Sequence, residues 1–518
     1  MFLPNFILEH LLTWIVFVPL IGIIAVVALP KENHKAIRWS AVVATVIPLL
    51  LSLVLYTAFD RDEAGMQFKE QISWIPTFNI HYYLGIDGLS IPMILLTTLL
   101  SFLCVFASWN INRGLKGYFS MFLLLETGML GVFCALDFFL FYIFWELMLL
   151  PMYFLIGIWG GPKKEYAAIK FFLYTLAGSV LMLVVMLAFY FYSEPHTFDL
   201  IKLTQSGVLQ VRDIELFGIP VTLDLFKKIL FIFLFIGFAI KVPIFPFHTW
   251  LPIAHVEAPT PISVILAGIL LKMGVYGLLR VSFPILPQET LWFSYALAFL
   301  GLVNIIYGAF CAMGQITLPE AKGGNDLKKL IAYSSINHMG FCLLGISVFT
   351  VEGMNGAVFQ MFNHGITTAM LFLLVGVVYD RVHHRKIDGF GGIRAQVPVY
   401  TGIVALAFFA SLGLPGLASF ISEALVFLGA FKVYPSITIL ATLGVVLNAA
   451  FFLWVFQKIF LGPLNEKYKG LSDVNRMELV TLVPLGALVI FLGIYPMPVL
   501  NLMKTSLDQL LVLLQSIG

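Results

Sequence analysis

The sequence predicts an all-α polytopic membrane protein, one membrane domain (1–518) of about 14 transmembrane helices. Three observations carry that class. Of its 518 residues, 60% are hydrophobic and only 11% charged, against about 25% charged in a soluble domain. Apolar runs of roughly 20 residues, enough helix to cross a hydrocarbon core of about 30 Å, recur along the chain. Short polar connections separate them, the longest covering 193–225. Such a composition excludes a soluble enzyme, a nucleic-acid-binding domain and a disordered scaffold.

The first run, near 12–29, is followed by Pro30-Lys-Glu-Asn-His34 and not by a small-residue cleavage site, so it reads as a retained helix rather than a signal peptide. Spans two to six lie near 38–58, 86–109, 118–135, 137–159 and 168–192. The seventh, near 226–247, is interrupted by Lys241-Val-Pro243-Ile-Phe-Pro246. Spans eight to eleven lie near 261–281, 292–313, 329–349 and 356–379. The twelfth, near 398–430, is interrupted by Gly413-Leu-Pro415-Gly416, and 437–460 and 479–496 complete the set.

Basic residues fill the odd-numbered connections: Lys31, Lys35 and Arg38; Arg113 and Lys116; Lys163, Lys164 and Lys170; Arg381, Arg385, Lys386 and Arg394. The even connections 59–84 and 193–225 are acidic. The bias of lysine and arginine toward the inner side predicts cytoplasmic odd connections and both termini on the periplasmic side. The expected location is a bacterial inner membrane, with an organellar membrane as the alternative. Segment 248–260 lacks lysine and arginine although the alternation places it inside.

Cys104, Cys134, Cys311 and Cys342 lie singly in apolar runs, a spacing that fits packing residues rather than disulfides or metal ligands. The chain has no GxGxxG after a strand, no Walker A loop and no cysteine cluster, so it offers no motif for nucleotide, flavin or iron–sulfur chemistry.

An ionisable side chain at mid-membrane costs about 2.5–3.5 kcal/mol on insertion scales, which makes each one a functional candidate. Glu146 lies in Phe141-Tyr-Ile-Phe-Trp-Glu146-Leu-Met-Leu-Leu-Pro151, Lys241 at the break in span seven, and Lys272 in the middle of span eight. Glu423 follows the break in span twelve; His248 ends span seven, and His338 and His364 occupy spans ten and eleven. Glu126 is in span four. A structural ion pair needs two partners, whereas these residues form a string. Burial penalises the charged form of any acid or base, and a neighbouring opposite charge restores it. A moving neighbour therefore switches proton affinity, and the string reads as a proton path.

Proline inside a span removes a backbone hydrogen bond, and unpaired backbone at membrane depth survives only where protein or water satisfies it. Transporters place such breaks at ion sites in corresponding positions of inverted repeats. Phe238-Ala239 before Pro243 and Phe409-Ala410 before Pro415 stand five spans apart. An odd number of spans returns a repeat inverted. The expected parts are 1–117 (helices one to three), 118–282 (first five-helix repeat), 292–460 (second, inverted repeat) and 461–518 (helix fourteen and a tail).

Phe144-Trp-Glu146-Leu, Gly160-Gly-Pro-Lys163, Lys241-Val-Pro-Ile-Phe-Pro-Phe-His248-Thr-Trp-Leu-Pro252, His255-Val-Glu-Ala-Pro-Thr-Pro-Ile-Ser263 and Leu271-Lys272-Met-Gly-Val-Tyr-Gly277 resemble the antiporter-like membrane subunits of respiratory complex I, the proton-pumping NADH:quinone oxidoreductase. Gly85-Ile-Asp-Gly-Leu-Ser90 and Ser334-Ser-Ile-Asn-His338-Met-Gly340 agree. The resemblance implies two inverted five-helix repeats, each a proton half-channel, joined by charged residues at the midplane. It implies a pair between Glu146 and Lys241, lateral transfer by Lys272, relay by His248, His338 and His364, and a terminal acid at Glu423. Glutamate at that last position, and an end soon after span fourteen, resemble the chain M (subunit 4) type.

The resemblance further implies no cofactor in this chain, with NADH, FMN, iron–sulfur clusters and quinone on other subunits. The implied partners are other membrane subunits, sister antiporter-like subunits among them, and the lipid bilayer, with no nucleic acid. A subunit of an Mrp-type multisubunit cation/proton antiporter, or of a related hydrogenase or ferredoxin-linked complex, is the alternative.

Overall fold

The computed structural model describes residues 5–205, 209, 214–216 and 219–516. Among them, twelve helices are long and apolar enough to cross a membrane, and they coincide with spans one to six, eight to eleven, thirteen and fourteen. Of the other two expected spans, the seventh (near 226–247) holds the helix Leu223–Lys241 and the break after it, with a short helix, Trp250–Glu257, beyond it in 248–260; the twelfth holds Pro398–Ser411 and Ala418–Val433. The breaks thus fall where the prolines put them.

Spans eight (Thr260–Ile285) and eleven (Val351–Val382) form the centre, both wholly buried over their apolar stretch, whereas span thirteen (Pro435–Phe460) is only 33% buried. Ile24, Phe191, Val446 and Ile494 are among the large apolar side chains turned outward, as a lipid-facing rim requires. Small residues let the central helices touch: a Cβ placed on Gly365 would stand 3.0 Å from the Gly268 carbonyl, and one on Gly274 would stand 2.7 Å from the Phe238 carbonyl. Close backbone approach of this kind is how membrane helices gain van der Waals contact.

The connections sort onto two faces. The odd-numbered connections from the third to the thirteenth, 248–260 among them, line one cavity, and Arg385 Nη1 donates to the Val256 carbonyl at 2.8 Å. Even-numbered ones join each other: Asn79 donates to the His196 carbonyl at 2.9 Å, and isolated bridges pair Leu84 with Ala135 and Asp137 with Asp199. The segments Asn5–Glu9 and Met497–Gln515 belong to this second face, through His10 near Glu70 and Thr505 bonded to the Arg61 carbonyl. Within the acidic connection 193–225, residues 206–208, 210–213, 217 and 218 lie outside the described residues.

Two features depart from the sequence reading. The second connection carries an antiparallel hairpin, Gln67–Ile75 with Ile80–Ile86, whose turn uses Asn79 at φ 53°. Its Glu70 accepts the Leu12 N–H at 2.8 Å and the Thr13 hydroxyl at 2.5 Å, which caps span one and explains a carboxylate in that position. The expected tail contains a 19-residue helix, Met497–Gln515, locked against the start of span three by Ser506, whose hydroxyl accepts the Gly88 N–H at 2.9 Å.

Candidate functional site

Span eight is irregular around its lysine. A π-helical turn over Leu266–Leu270 directly precedes Lys272 and a second covers Leu278–Ser282. Such bulges leave carbonyls free of the regular ladder and favour functional positions. The Lys272 ammonium uses one of them, donating to the Ala267 carbonyl. Its other partner is His364 Nδ1 of span eleven, at 2.7 Å. Lys272 is fully buried, and among the described residues no carboxylate lies within ion-pair distance of it.

From His364 the line continues. Its ring centroid lies 5.4 Å from that of His338 in span ten, and His338 Nδ1 lies 3.6 Å from Glu423 Oε1. Side-chain amides surround this histidine: Gln360 Nε2 is 3.4 Å from Nδ1 and Asn448 Nδ2 is 3.5 Å from Nε2. Ser422 donates to Gln360, and Asn363 Nδ2 donates to the Ala418 carbonyl at 2.9 Å. Lys272, His364, His338 and Glu423 are therefore one buried row joining spans eight, eleven, ten and twelve.

Glu146 and Lys241 stand apart from that row and do not touch each other. Among the described residues no ion pair of 4.0 Å or less joins them, and the Lys241 ammonium is buried without a hydrogen-bond partner. It lies over the faces of Trp145 and Phe171, at 5.3 and 5.6 Å from the ring centroids. This aromatic seat favours a cation by its quadrupole and holds the lysine back from its acid. Glu146 sits just before a helix irregularity at Met148, between Phe138–Leu147 and Leu149–Trp159; Pro151, which has no N–H to bond the Leu147 carbonyl, explains it. His248 is separate again, with Nε2 at 3.2 Å from the Tyr307 hydroxyl.

Both breaks are stabilised in the same manner. In span seven the Val242 N–H bonds the Phe238 carbonyl and the Ile244 N–H the Ala239 carbonyl; in span twelve Leu412 bonds Phe408 and Leu414 bonds Phe409. An asparagine from another span serves each break. Asn304 accepts the Phe245 N–H at 2.8 Å and donates to the Pro243 carbonyl at 3.3 Å, while Asn448 donates to the Ser411 carbonyl at 3.4 Å. In this register Lys241 corresponds to Ser411, so Glu423 is not its counterpart. Glu423 instead lies against the break itself: a Cβ on Gly413 would stand 2.8 Å from its Oε2.

Glu126, expected in span four, is fully buried with neither carboxylate oxygen hydrogen-bonded among the described residues. Among the buried ionisable groups that the structure adds are His255, neither ring nitrogen of which has a partner among the described residues, and Lys328. The Lys328 ammonium donates to the Ala258 carbonyl at 2.5 Å. His255 lies in a proline-flanked segment that reads as a connection, yet forms a helix folded into the interior; Lys328 stands in a polar stretch that looks like a solvated helix start. Among the described residues no cluster of three His, Cys, Asp or Glu side chains could hold a metal ion.

The model of the family described as NADH:quinone oxidoreductase/Mrp antiporter, transmembrane, matches residues 135–448, and that of the amino terminus of NADH-ubiquinone oxidoreductase chain 4 matches residues 14–135. The chain is 42% identical over 509 residues to NADH-quinone oxidoreductase subunit M of Rhodobacter capsulatus, covering 97% of this chain and 96% of the relative. Its fold is similar to a chain of respiratory complex I from Thermus thermophilus, with TM-score 0.84, 28% identity and coverage of 98% and 100%. A chain of the Mrp complex from Dietzia shares the fold at TM-score 0.80 but only 17% identity, over 98% and 99% of the two chains. The amino-terminal match and the relative at 42% identity separate the two readings. The chain belongs to the family of NADH:quinone oxidoreductase membrane subunits, in its subunit M (chain 4) branch.

Proposed function

We propose that Lys272, His364, His338 and Glu423 carry protons laterally through this chain, and that Glu146 and Lys241 form a charge switch that drives the transfer. As a subunit of the chain 4 type, the protein is a non-redox membrane component of a proton-translocating NADH:quinone oxidoreductase. The observation that carries the reading is the buried row from Lys272 to Glu423. Its links are a lysine on an imidazole, two neighbouring imidazoles and an imidazole beside a carboxylate. Lysine, histidine and glutamate can each hold a proton or release it, so the row can pass one along without any group crossing the membrane.

His248 joins this reading as a relay group at the break of span seven. The matching hydrogen bonds of the two breaks support a pair of inverted five-helix repeats within a fourteen-helix chain. The basic odd connections support a cytoplasmic position for that face and a periplasmic one for both termini, in a bacterial inner membrane. Partners in this reading are the other membrane subunits, sister antiporter-like chains included; NADH, FMN, iron–sulfur clusters and quinone belong to other subunits.

The test is His364→Ala in the assembled complex, with proton pumping measured in membrane vesicles. Loss of a positioned proton carrier costs about a hundredfold or more in rate. Pumping at the wild-type rate in assembled His364→Ala complex would exclude the row as the path.

A further inference from the structure

Gln360 stands one helical turn before His364 on span eleven and is fully buried, so the two side chains share one face of that helix. Each end of the Gln360 amide has a partner. Its Oε1 accepts the Ser422 hydroxyl of span twelve, and its Nε2 lies 3.4 Å from His338 Nδ1. That same ring nitrogen is 3.6 Å from Glu423 Oε1, an oxygen without a hydrogen-bond partner among the described residues. One imidazole nitrogen thus faces both an amide and a carboxyl group. Ser422 has a second acceptor for its proton, the Ser419 carbonyl at 2.9 Å, and its oxygen accepts from Asn363 Nδ2 at 3.3 Å.

A serine hydroxyl has one proton to give, and a carboxamide has one donor end and one acceptor end. These atoms therefore admit two complete arrangements. In the first, Ser422 donates to Gln360, the amide N–H donates to Nδ1, and the neutral ring keeps its proton on Nε2. In the second, Ser422 donates to the Ser419 carbonyl, and the turned amide donates to the Ser422 oxygen. It then offers its own oxygen to an Nδ1 that carries a proton. The bond made at a ring nitrogen decides where an imidazole is protonated, and here the amide makes that bond. On the other side of the ring, Asn448 Nδ2 lies 3.5 Å from Nε2, and Asn448 Oδ1, without a partner among the described residues, is a spare acceptor for an Nε2 proton.

Resting on the relay reading above, we infer that Gln360, held by Ser422, is a positioning residue whose amide turns over to gate the link between Glu423 and His338. With the amide N–H on Nδ1 the lone pair there is occupied, and the link is closed. With the amide turned, a protonated Glu423 passes its proton to Nδ1, leaving a carboxylate beside an imidazolium that the Gln360 oxygen stabilises. Gln360 and Ser422 keep their own protons throughout; only the Nδ1 proton changes residence. Between transfers the first arrangement refuses a proton at Nδ1, which keeps the row from leaking.

The experiment uses the assembled complex in membrane vesicles and reads proton pumping for Gln360→Met, Ser422→Ala and the double variant, with His364→Ala beside them. Each of the first two is expected to pump about tenfold more slowly, the scale of one lost hydrogen bond. The double variant is expected to be no slower than either, because members of one network do not add. Gln360→Glu restores both bonds only as a neutral acid, its O–H on Nδ1 and its carbonyl accepting from Ser422. Its pumping therefore recovers toward wild type at acid pH and falls to the Gln360→Met level as the pH rises, a profile that a space-filling residue does not give. Wild-type pumping in Gln360→Met or Ser422→Ala, losses that multiply in the double variant, or Gln360→Glu matching Gln360→Met at every pH would each overturn the gate. Ser422→Ala, which removes a single oxygen, decides the question if the Gln360 variants fail to assemble. If His364→Ala pumps normally, the relay reading has failed and the gate with it; if only His364→Ala is impaired, the relay stands and the gate is wrong.

Discussion

Lys272 Nζ meets His364 Nδ1 at 2.7 Å, with the Ala267 carbonyl as its second partner. A buried ammonium is normally matched by a carboxylate, because an uncompensated charge in the interior is expensive. This lysine is matched by two neutral acceptors, an arrangement that suits a group expected to give its proton away. The fully buried span around it keeps bulk water from competing.

Glu146 and Lys241 lie within electrostatic reach of each other without contact. If they act as a switch, Glu146→Ala abolishes pumping and strongly reduces coupled quinone reductase activity while the complex still assembles. Glu146→Asp, which keeps the charge on a shorter arm, retains part of both. Intact pumping in Glu146→Ala vesicles would remove the pair from the mechanism.

Asn304 is the partner that spans nine and seven share at the break. Replacing it with alanine removes both bonds and leaves the buried Pro243 carbonyl without this partner. The expected loss is about 1–3 kcal/mol of stability, seen as a lower unfolding temperature of the purified complex. Asn304→Asp, which would place a carboxylate in a fully buried position against the Pro243 carbonyl, is expected to cost at least as much. An unchanged unfolding temperature for Asn304→Ala would mean that the break does not depend on that side chain.

The two-face arrangement predicts that a reporter placed at Lys386 is cytoplasmic and one placed at Glu194 is on the opposite side. Activity of both reporters on the same side would contradict the assignment of odd and even connections.

Much of this was legible from residue chemistry alone. Prolines at 243, 246 and 415 announce the breaks, and Lys272 stands out because its span is otherwise almost free of charge. The hairpin at 67–86 was not legible, since Lys69 and Glu70 disguise it as a polar connection and the value of Glu70 as a cap depends on where span one ends. The separation of Glu146 from Lys241 was hidden too, because the faces of Trp145 and Phe171 decide it. His255 escaped for a related reason: prolines at 252 and 259 suggest a surface loop, whereas the helix between them packs inward against Phe372.

The central claim is that Lys272 loses and regains a proton in each cycle and does not merely supply positive potential. Arginine retains the charge but cannot release its proton in a protein, so Lys272→Arg separates the two roles. The measurement is proton pumping in inverted vesicles, normalised to assembled complex, for wild type, Lys272→Arg and Lys272→Ala. The account predicts that both variants fall by about a hundredfold, arginine nearly as far as alanine. Pumping close to the wild-type rate in Lys272→Arg, with Lys272→Ala inactive, would contradict it and leave Lys272 a fixed counter-charge.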